Sequence, residues 1–257
     1  MTVTTAASPD PRTLRVLTVN THKGFSSFNR RFILHELREA VRAVGADIVF
    51  LQEVQGTHLT HAARWAGYPK MPHYEFMADQ IWPEFAYGRN AVYPHGEHGN
   101  AVMSKFPIVS YENRDVSIRG PERRGLLHCV LDLPRLGGRM HVVCVHLGLS
   151  EGHRRRQIEL LCEMLHKEVP EDMPLVVAGD FNDWRRRAHE MLARVGLHEV
   201  FERAHGESAR SFPARFPLLQ LDRIYVRNAR HHAPLQLPRH PWSRLSDHAP
   251  LAAEIVL

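Results

Sequence analysis

The chain has 257 residues, 44% of them hydrophobic, which argues against a disordered chain and suffices for one large α/β core or two small ones. Its net charge of +5 and pI near 9.4 favour an anionic partner. Its three cysteines, Cys129, Cys144 and Cys162, lack metal-type spacing and read as buried reduced thiols, not as a disulfide scaffold or zinc site. No apolar stretch approaches the roughly 20 residues a membrane helix needs, so the expectation is a cytoplasmic protein, with peripheral membrane contact left open.

In chain order, Met1–Arg12 is small, polar and proline-containing, lacks the apolar core of a signal peptide, and reads as a disordered lead-in. The apolar segment Leu14–Val19 ends at Asn20-Thr21-His22-Lys23. Ile33, Leu37, Ala40, Val41 and Val44 recur at helical spacing within Arg30–Gly45, and Gly45 supplies the stop. A short buried strand, Asp47–Leu51, follows and ends at Gln52-Glu53. Residues 81–99 look loop-like; Trp82, Phe85, Tyr87 and Tyr93 there form either a substrate-recognition lid or a small satellite core. Gly99–Val116 and Gly125–Val145 read as successive strands, broken by Pro107, Pro121, Pro134 and Gly137-Gly138. A long helix covers Glu151–Glu168, with Ile158, Leu161 and Leu165 on one face. The apolar run Leu175–Ala178 then leads into Gly179-Asp180-Phe181-Asn182-Asp183-Trp184. A shorter helix over Ala188–Val195 and strands over Leu221–Val226 and Leu251–Val256 complete the reading. Without repeats or a long linker, one domain over residues 13–257 is the expected organisation.

Four strand ends thus deliver Asn20, Glu53, Asp180 with Asn182, and the cluster Ser246-Asp247-His248. Carboxylates and amides gathered at a sheet edge suit a hard divalent cation and a phosphate. Together with Gly99-Asn100-Ala101-Val102-Met103-Ser104-Lys105, His146 and Leu221-Asp222-Arg223-Ile224, these strings resemble, in order, the motifs of the endonuclease/exonuclease/phosphatase superfamily. Any one string arises by chance, but six or more in the right order are specific. Within the superfamily the chain looks most like small bacterial stand-alone members found beside cardiolipin synthase genes.

That resemblance implies a four-layer α/β/β/α sandwich of two mostly antiparallel sheets with helices outside, and Mg²⁺-dependent hydrolysis of phosphoesters, with Mn²⁺ as an alternative ion. By the same resemblance Glu53 would be the principal metal ligand, with Asn20 supporting the metal or a phosphate oxygen and Asp247 an outer ligand. Asp180 and Asn182 would handle the attacking water and contact the phosphate. His248 would act as base or phosphate donor, oriented by Asp222, and His146 would donate to the scissile phosphate. Arg124 would approach the phosphate, and Asn100 would line the wall of the site. From the residues alone, Asn20 and Asp222 read equally well as turn or strand-edge residues, and His146 as a packed histidine. Where family members specialised for abasic DNA carry an acidic residue two positions after the first Asn, this chain has His22, which argues against that role.

The substrate is less legible. Arg185-Arg186-Arg187 follows the Asp180 motif directly, so Arg185 and its neighbours can grip substrate phosphates, although arginine runs are also commonly solvated or ion-paired. The expected function is a phosphodiesterase acting on nucleic acid or a phospholipid headgroup. The alternatives are a phosphomonoesterase and a non-catalytic binding module on the same scaffold.

Overall fold

Apolar runs that do not alternate with polar residues are expected where a strand is covered on both faces, and the chain folds that way. The computed structural model describes residues 13–58, 60–65 and 67–257; the proposed lead-in at residues 1–12 lies outside them. In chain order the elements are β1 (Thr13–Asn20), α1 (Leu34–Val44), β2 (Ile48–His58), α2 (His61–Arg64), α3 (His73–Ala78), β3 (Glu84–Tyr93), β4 (Gly96–Ser104), β5 (Ile108–Asp115), β6 (Gly125–Leu133), β7 (Gly138–His146), α4 (Glu151–Glu168), β8 (Leu175–Asp180), α5 (Ala188–Ala193), β9 (His198–Glu199), α6 (Val200–His205), β10 (Asp222–Arg227), β11 (His231–Leu235), α7 (Arg239–Trp242) and β12 (Leu251–Val256).

They form two mixed six-stranded sheets, ordered β11-β12-β1-β2-β4-β3 and β5-β6-β7-β8-β10-β9. Each has a parallel pair at its centre, β1 with β2 and β7 with β8, among antiparallel neighbours. Val16, Ile48 and Phe50 of one sheet and Val142, Val176 and Ile224 of the other fill the layer between the sheets. The alternate residues Leu17, Val49 and Leu51 turn outward beneath α1, which lays down Leu34, Leu37 and Val41. Val143 and Val177 do the same beneath Ile158, Leu161 and Leu165 of α4. This is the α/β sandwich the sequence resemblance implied. Each fully buried aliphatic side chain contributes about 1.5–3 kcal/mol, so both faces of the central strands hold the sandwich together.

Besides the short elements α2, α3, β9, α6, β11 and α7, which have no counterpart in the sequence reading, two segments differ from it. Residues 84–93 are not loop-like: β3 pairs along β4 as a hairpin. Its inward positions carry Ala86, Gly88 and Ala91, small residues that leave little hydrophobic periodicity to read. A Cβ at Gly88 would lie 2.2 Å from Asn113 Oδ1, so the packing demands that smallness. Trp82 is fully buried and donates to the Ala46 carbonyl, Tyr87 stacks on Tyr74, and Phe85 and Tyr93 face solvent. The second difference is that β2 does not end at Leu51 but runs on to His58 through an irregularity opposite β4, where Leu51 pairs Ala101 and Val54 pairs Gly99. Two residues, Gln52 and Glu53, stand there against the single Asn100. Such a bulge bends the strand and re-aims a side chain.

Candidate active site

The strand registers bring the polar strand ends to one edge of the sandwich. Asn20 pairs with Gln52 across β1 and β2, and Asp180 lies between His146 of β7 and Asp222 of β10. The Ser246-Asp247-His248 turn precedes β12 and closes onto the same edge: Ser246 Oγ donates to the Asn20 carbonyl at 2.7 Å and accepts from His248 N at 3.2 Å.

Local backbone explains how short motifs aim these groups. Glu53 has φ +52°, the left-handed twist of the bulge, so its carboxylate leaves the sheet where Gln52 turns back into it. Gln52 itself is fully buried and hydrogen-bonds Thr18 and Cys144. Gly179 has φ +147°, and a Cβ there would sit 2.0 Å from the Val145 carbonyl oxygen. Only glycine lets β8 approach β7 closely enough to bring Asp180 beside His146. Asn182 has φ +51°; its backbone N–H donates to Asp180 Oδ1 at 2.9 Å and its side-chain amide to the Leu147 carbonyl at 3.0 Å.

Asp180 is the hub. Its Oδ2 accepts from Asn20 Nδ2 at 3.2 Å and lies 3.6 Å from His146 Nε2 and 3.8 Å from His248 Nε2. The other nitrogen of His248, Nδ1, bonds Asp222 Oδ2 at 2.8 Å, and the Phe212 ring packs against the imidazole. Burial pushes the Asp180 carboxyl up to about 7; Asp222 adds to the shift and His248 opposes it. For His248 burial works against the charged form, but Asp222 and Asp180 outweigh it and raise the imidazolium to about 10. His146 is held far below the ordinary histidine range by burial and by the nearby Arg124 charge. Near neutral pH the site therefore contains a protonated His248, a neutral His146 and an Asp180 poised to titrate.

Glu53 stands across from this relay. Burial alone would raise its pKa, but His146, Lys23, His22 and His98 pull it down to about 2. Lys23 Nζ lies 3.6 Å from Glu53 Oε2, and His22 Nε2 lies 3.8 Å from Asp247 Oδ2. Two half-buried carboxylates thus each draw a basic side chain from the turn His22–Gly24. Carboxylate oxygens with an adjacent amide form a hard-oxygen donor set that fits Mg²⁺ or Mn²⁺. Among the described residues, Asp180, Asp222 and His248 also group tightly enough to hold an ion, their ligand atoms lying within 4.8 Å of one another. The proton held between Asp222 and His248 makes that group a relay first, because a protonated imidazole cannot ligate. The Glu53–Asp247 side is the better match.

The remaining sequence candidates fall into two groups. Arg124 belongs to the site: its Nε donates to the Leu147 carbonyl, and Glu122 pairs with it at 3.2 Å. Asn100 is fully buried, ties β4 to the Gly125 and Cys144 carbonyls, and leaves its Oδ1 without a partner. Arg185 does not join them. It is exposed and paired with Glu151 at 2.9 Å; Arg187 also binds Glu151, and Arg186 binds Glu202. Asp183, next to that run in the chain, accepts from Ala188 N at the start of α5.

Sequence reasoning assigned no role to Lys23 or His98 and none of its own to Arg154. Lys23 was in view within the Asn20 string, but its spacing to Glu53 is set only by the fold. His98 is drawn toward the site by β4 and lies under the Tyr93 hydroxyl, 3.0 Å from its Nδ1, with its pKa lowered to about 4 by burial and Lys23. Arg154, whose run with Arg155 and Arg156 reads in the sequence as either phosphate-binding or solvated, is buried, donates to the Gly148 and Leu149 carbonyls, and lies against the Trp184 ring.

Residues 17–248 match the Endonuclease/Exonuclease/phosphatase family, and the chain belongs to it. That family acts on phosphoesters, in general with a divalent metal. In sequence the chain is similar to Uncharacterized protein YbhP of Escherichia coli (strain K12), 59% identical over 244 residues that cover 95% of this chain and 96% of that one. In structure it is similar to an endonuclease/exonuclease/phosphatase from Beutenbergia cavernae DSM 12333, with TM-score 0.75 at 20% identity, covering 96% of this chain and 72% of that one. It is also similar to the Bacteroides thetaiotaomicron VPI-5482 mannosyl-6-phosphatase Bt3783 (0.69, 18%; 95% and 100% covered) and to the human Nocturnin catalytic domain with bound sulfate anion (0.71, 18%; 95% and 93% covered). At these identities the structural likenesses carry the fold alone.

Proposed function

We propose that residues 13–257 act as one divalent-metal-dependent phosphodiesterase. The observation that carries this reading is the array Asp222–His248–Asp180–Asn20, joined at 2.8, 3.8 and 3.2 Å, with His146 close to Asp180 and acting on the Glu53 carboxylate. A hydrolase needs a base for water, donors for the phosphoryl oxygens and a cation for the accumulating charge.

Asp180 is the base: its pKa near 7 suits proton abstraction, and His248 already holds a proton at that pH. Water oxygen forms the new bond to phosphorus as Asp180 takes its proton; the P–O bond to the leaving group breaks, and the leaving oxygen takes a proton from solvent. His248, kept charged by Asp222, donates to a non-bridging oxygen, and neutral His146 donates one further hydrogen bond. Asn182 fixes the Asp180 carboxylate through its backbone N–H. Glu53, with Asn20 and Asp247, would hold Mg²⁺ or Mn²⁺, which when bound polarises the phosphoryl group and offsets its charge.

The diester preference is supported by a groove of about 640 Å³ that starts at His22 and Asp247 and is rimmed by Arg30, Arg215, Arg244 and the exposed Phe28. Basic and aromatic groups leading away from the centre suit the second arm of a diester, whether nucleotide or phospholipid headgroup. A non-catalytic module would have no use for a protonated His248 beside a titrating Asp180. No helix among the described residues is long and apolar enough to cross a membrane; cytoplasmic residence and any surface contact with lipid belong to this proposal. The test is hydrolysis of plasmid DNA, RNA, phospholipids and phosphate monoesters with Mg²⁺ or Mn²⁺. Turnover of a diester that is lost in Glu53→Gln supports the reading. Much higher kcat/KM on monoesters than on any diester refutes it.

A further inference from the structure

At the opposite end of the second sheet lies a larger cavity, about 990 Å³, lined by Arg194, Arg203, Arg227 and Arg230 together with His198 and His232. It is remote from the candidate active site: β10 begins at Asp222 and ends at Arg227, roughly 16 Å of strand away at about 3.3 Å per residue. The arginines come from four places in the chain: the end of α5, α6, the end of β10, and the turn before β11. None has an acidic partner within ion-pair distance among the described residues, whereas Arg185, Arg186 and Arg187 are all paired. Glu171 is the one acid on the cavity wall. Arg227 is 9% exposed and anchored by the Val169, Pro170 and Val195 carbonyls, and its buried Nε has no partner.

Burying the Arg227 guanidinium without a paired anion is costly, with Glu171 and Asp172 offsetting it only from beyond ion-pair distance. The exposed guanidiniums of Arg194, Arg203 and Arg230 around the same concavity repel it and one another. We propose that this cavity binds a small ligand carrying at least two phosphate groups. Its volume lies in the range of small-molecule sites. The Arg227 fork is spent on carbonyls, which leaves the forks of Arg194, Arg203 and Arg230. Each can take two phosphate oxygens, and together they exceed the four oxygens of a single phosphate and match the six terminal oxygens of a diphosphate.

The experiment is calorimetric titration of the full chain in excess EDTA with inorganic pyrophosphate, with ATP and with a single-stranded oligonucleotide. Wild type is compared with an Arg194→Gln/Arg203→Gln/Arg230→Gln variant and with Asp180→Asn. These three arginines are exposed, so the variant is expected to fold, which its thermal melt checks. The expected result is one-to-one binding of pyrophosphate or ATP by wild type, at least about tenfold weaker in the arginine variant and unchanged in Asp180→Asn. Equal affinity for pyrophosphate and ATP means that the phosphates alone are recognised; tighter ATP binding adds a nucleoside. Diester hydrolysis is retained in the arginine variant, which separates this site from the catalytic reading. The proposal is overturned if no phosphate probe binds, if affinity is equal in the arginine variant, or if it is lost in Asp180→Asn. Binding of the oligonucleotide alone overturns it in favour of a nucleic-acid surface.

Discussion

The two ends of the β8–β10 ribbon handle charge differently. At one end Asp180 and Asp222 are buried, yet each is matched: Asp222 by His248, and Asp180 by His248, His146 and the Asn20 amide. At the other end Arg227 is buried among carbonyls, and Arg194, Arg203 and Arg230 surround it without acids of their own. The first arrangement is internally satisfied and works by moving protons. The second is incomplete as it stands and calls for an anion from outside. The arginines most prominent in the sequence, 185–187, belong to neither end, because Glu151 and Glu202 occupy them. Clustering along the chain is therefore a poor guide to free charge; what counts is which acids the fold brings alongside.

The sharpest way to break this contrast is at the matched end. Glu53→Gln and Asp180→Asn are each expected to lower kcat on the order of 10³ or more, with Tm within a few degrees of wild type. EDTA should abolish turnover and added Mg²⁺ or Mn²⁺ restore it. Unchanged kcat in either variant removes that residue from the chemistry.

A smaller effect, on the order of 10² in kcat, is expected of Asp222→Asn, and its signature is the pH profile. In wild type, activity should rise as Asp180 loses its proton near pH 7 and fall as His248 loses its own near 10. Asp222 is the principal cause of the raised His248 value and a lesser cause of the raised Asp180 value, so removing its charge should move the alkaline limb to lower pH and the acid limb in the same direction. An unmoved alkaline limb would separate His248 from catalysis.

The sequence carried the central strands, the two longest helices and the strand-end acids, because each is local, but not β3, β9 or β11. Apolar runs, helical spacing and the Gly179-Asp180-Phe181-Asn182 string all lie within a few residues of one another. What it hid depends on distant partners. Gly88 is small because Asn113 of β5 packs against it, and Ala86 and Ala91 on the same face add no large apolar side chain, so β3 gave no periodic signal. The bulge at Gln52-Glu53 exists only against Asn100 of β4, and an apolar strand of five residues looked finished there. The fates of Arg154, buried against Trp184, and Arg185, spent on Glu151, were decided by side chains dozens of residues away.

The far end offers a stability test. His128 Nε2 and His141 Nδ1 lie 2.9 Å apart in the second sheet, and His141 and Arg227 both pair with Leu175 from either side. Burial, His128, Arg227 and Arg139 lower the His141 pKa to about 4, and burial also lowers that of His128. For a histidine with a depressed folded value, stability is fully present above the unfolded pKa, near 6.5, and is lost as pH falls toward the folded value. The Tm should therefore fall between pH 6.5 and 4, and His141→Gln should flatten that fall. Some slope should persist, because His73 is held at about 3 by burial and by His61 and His58. A slope identical to wild type would mean that His141 does not titrate there.

The smallest effect is expected of the run that looked most like a phosphate grip. If Arg185, Arg186 and Arg187 held substrate phosphates, neutralising them would raise KM and flatten its dependence on salt by about one unit of slope per lost contact. Their pairing with Glu151 and Glu202 predicts otherwise. An arginine already neutralised by a carboxylate offers a substrate little net charge, and recruiting it would require breaking that pair. Exposed pairs of this kind contribute at most about 1 kcal/mol, so an Arg→Gln triple variant should lose little stability. Its KM should change by less than about threefold, with a salt slope parallel to wild type. The Arg194, Arg203 and Arg230 variant is the control: its cavity is remote from the active site, so it should leave KM and its salt slope unchanged. KM measured against ionic strength for both variants distinguishes the cases. A flattened slope in the 185–187 variant would mean that substrate outcompetes Glu151 and Glu202, and would return the run to the binding surface.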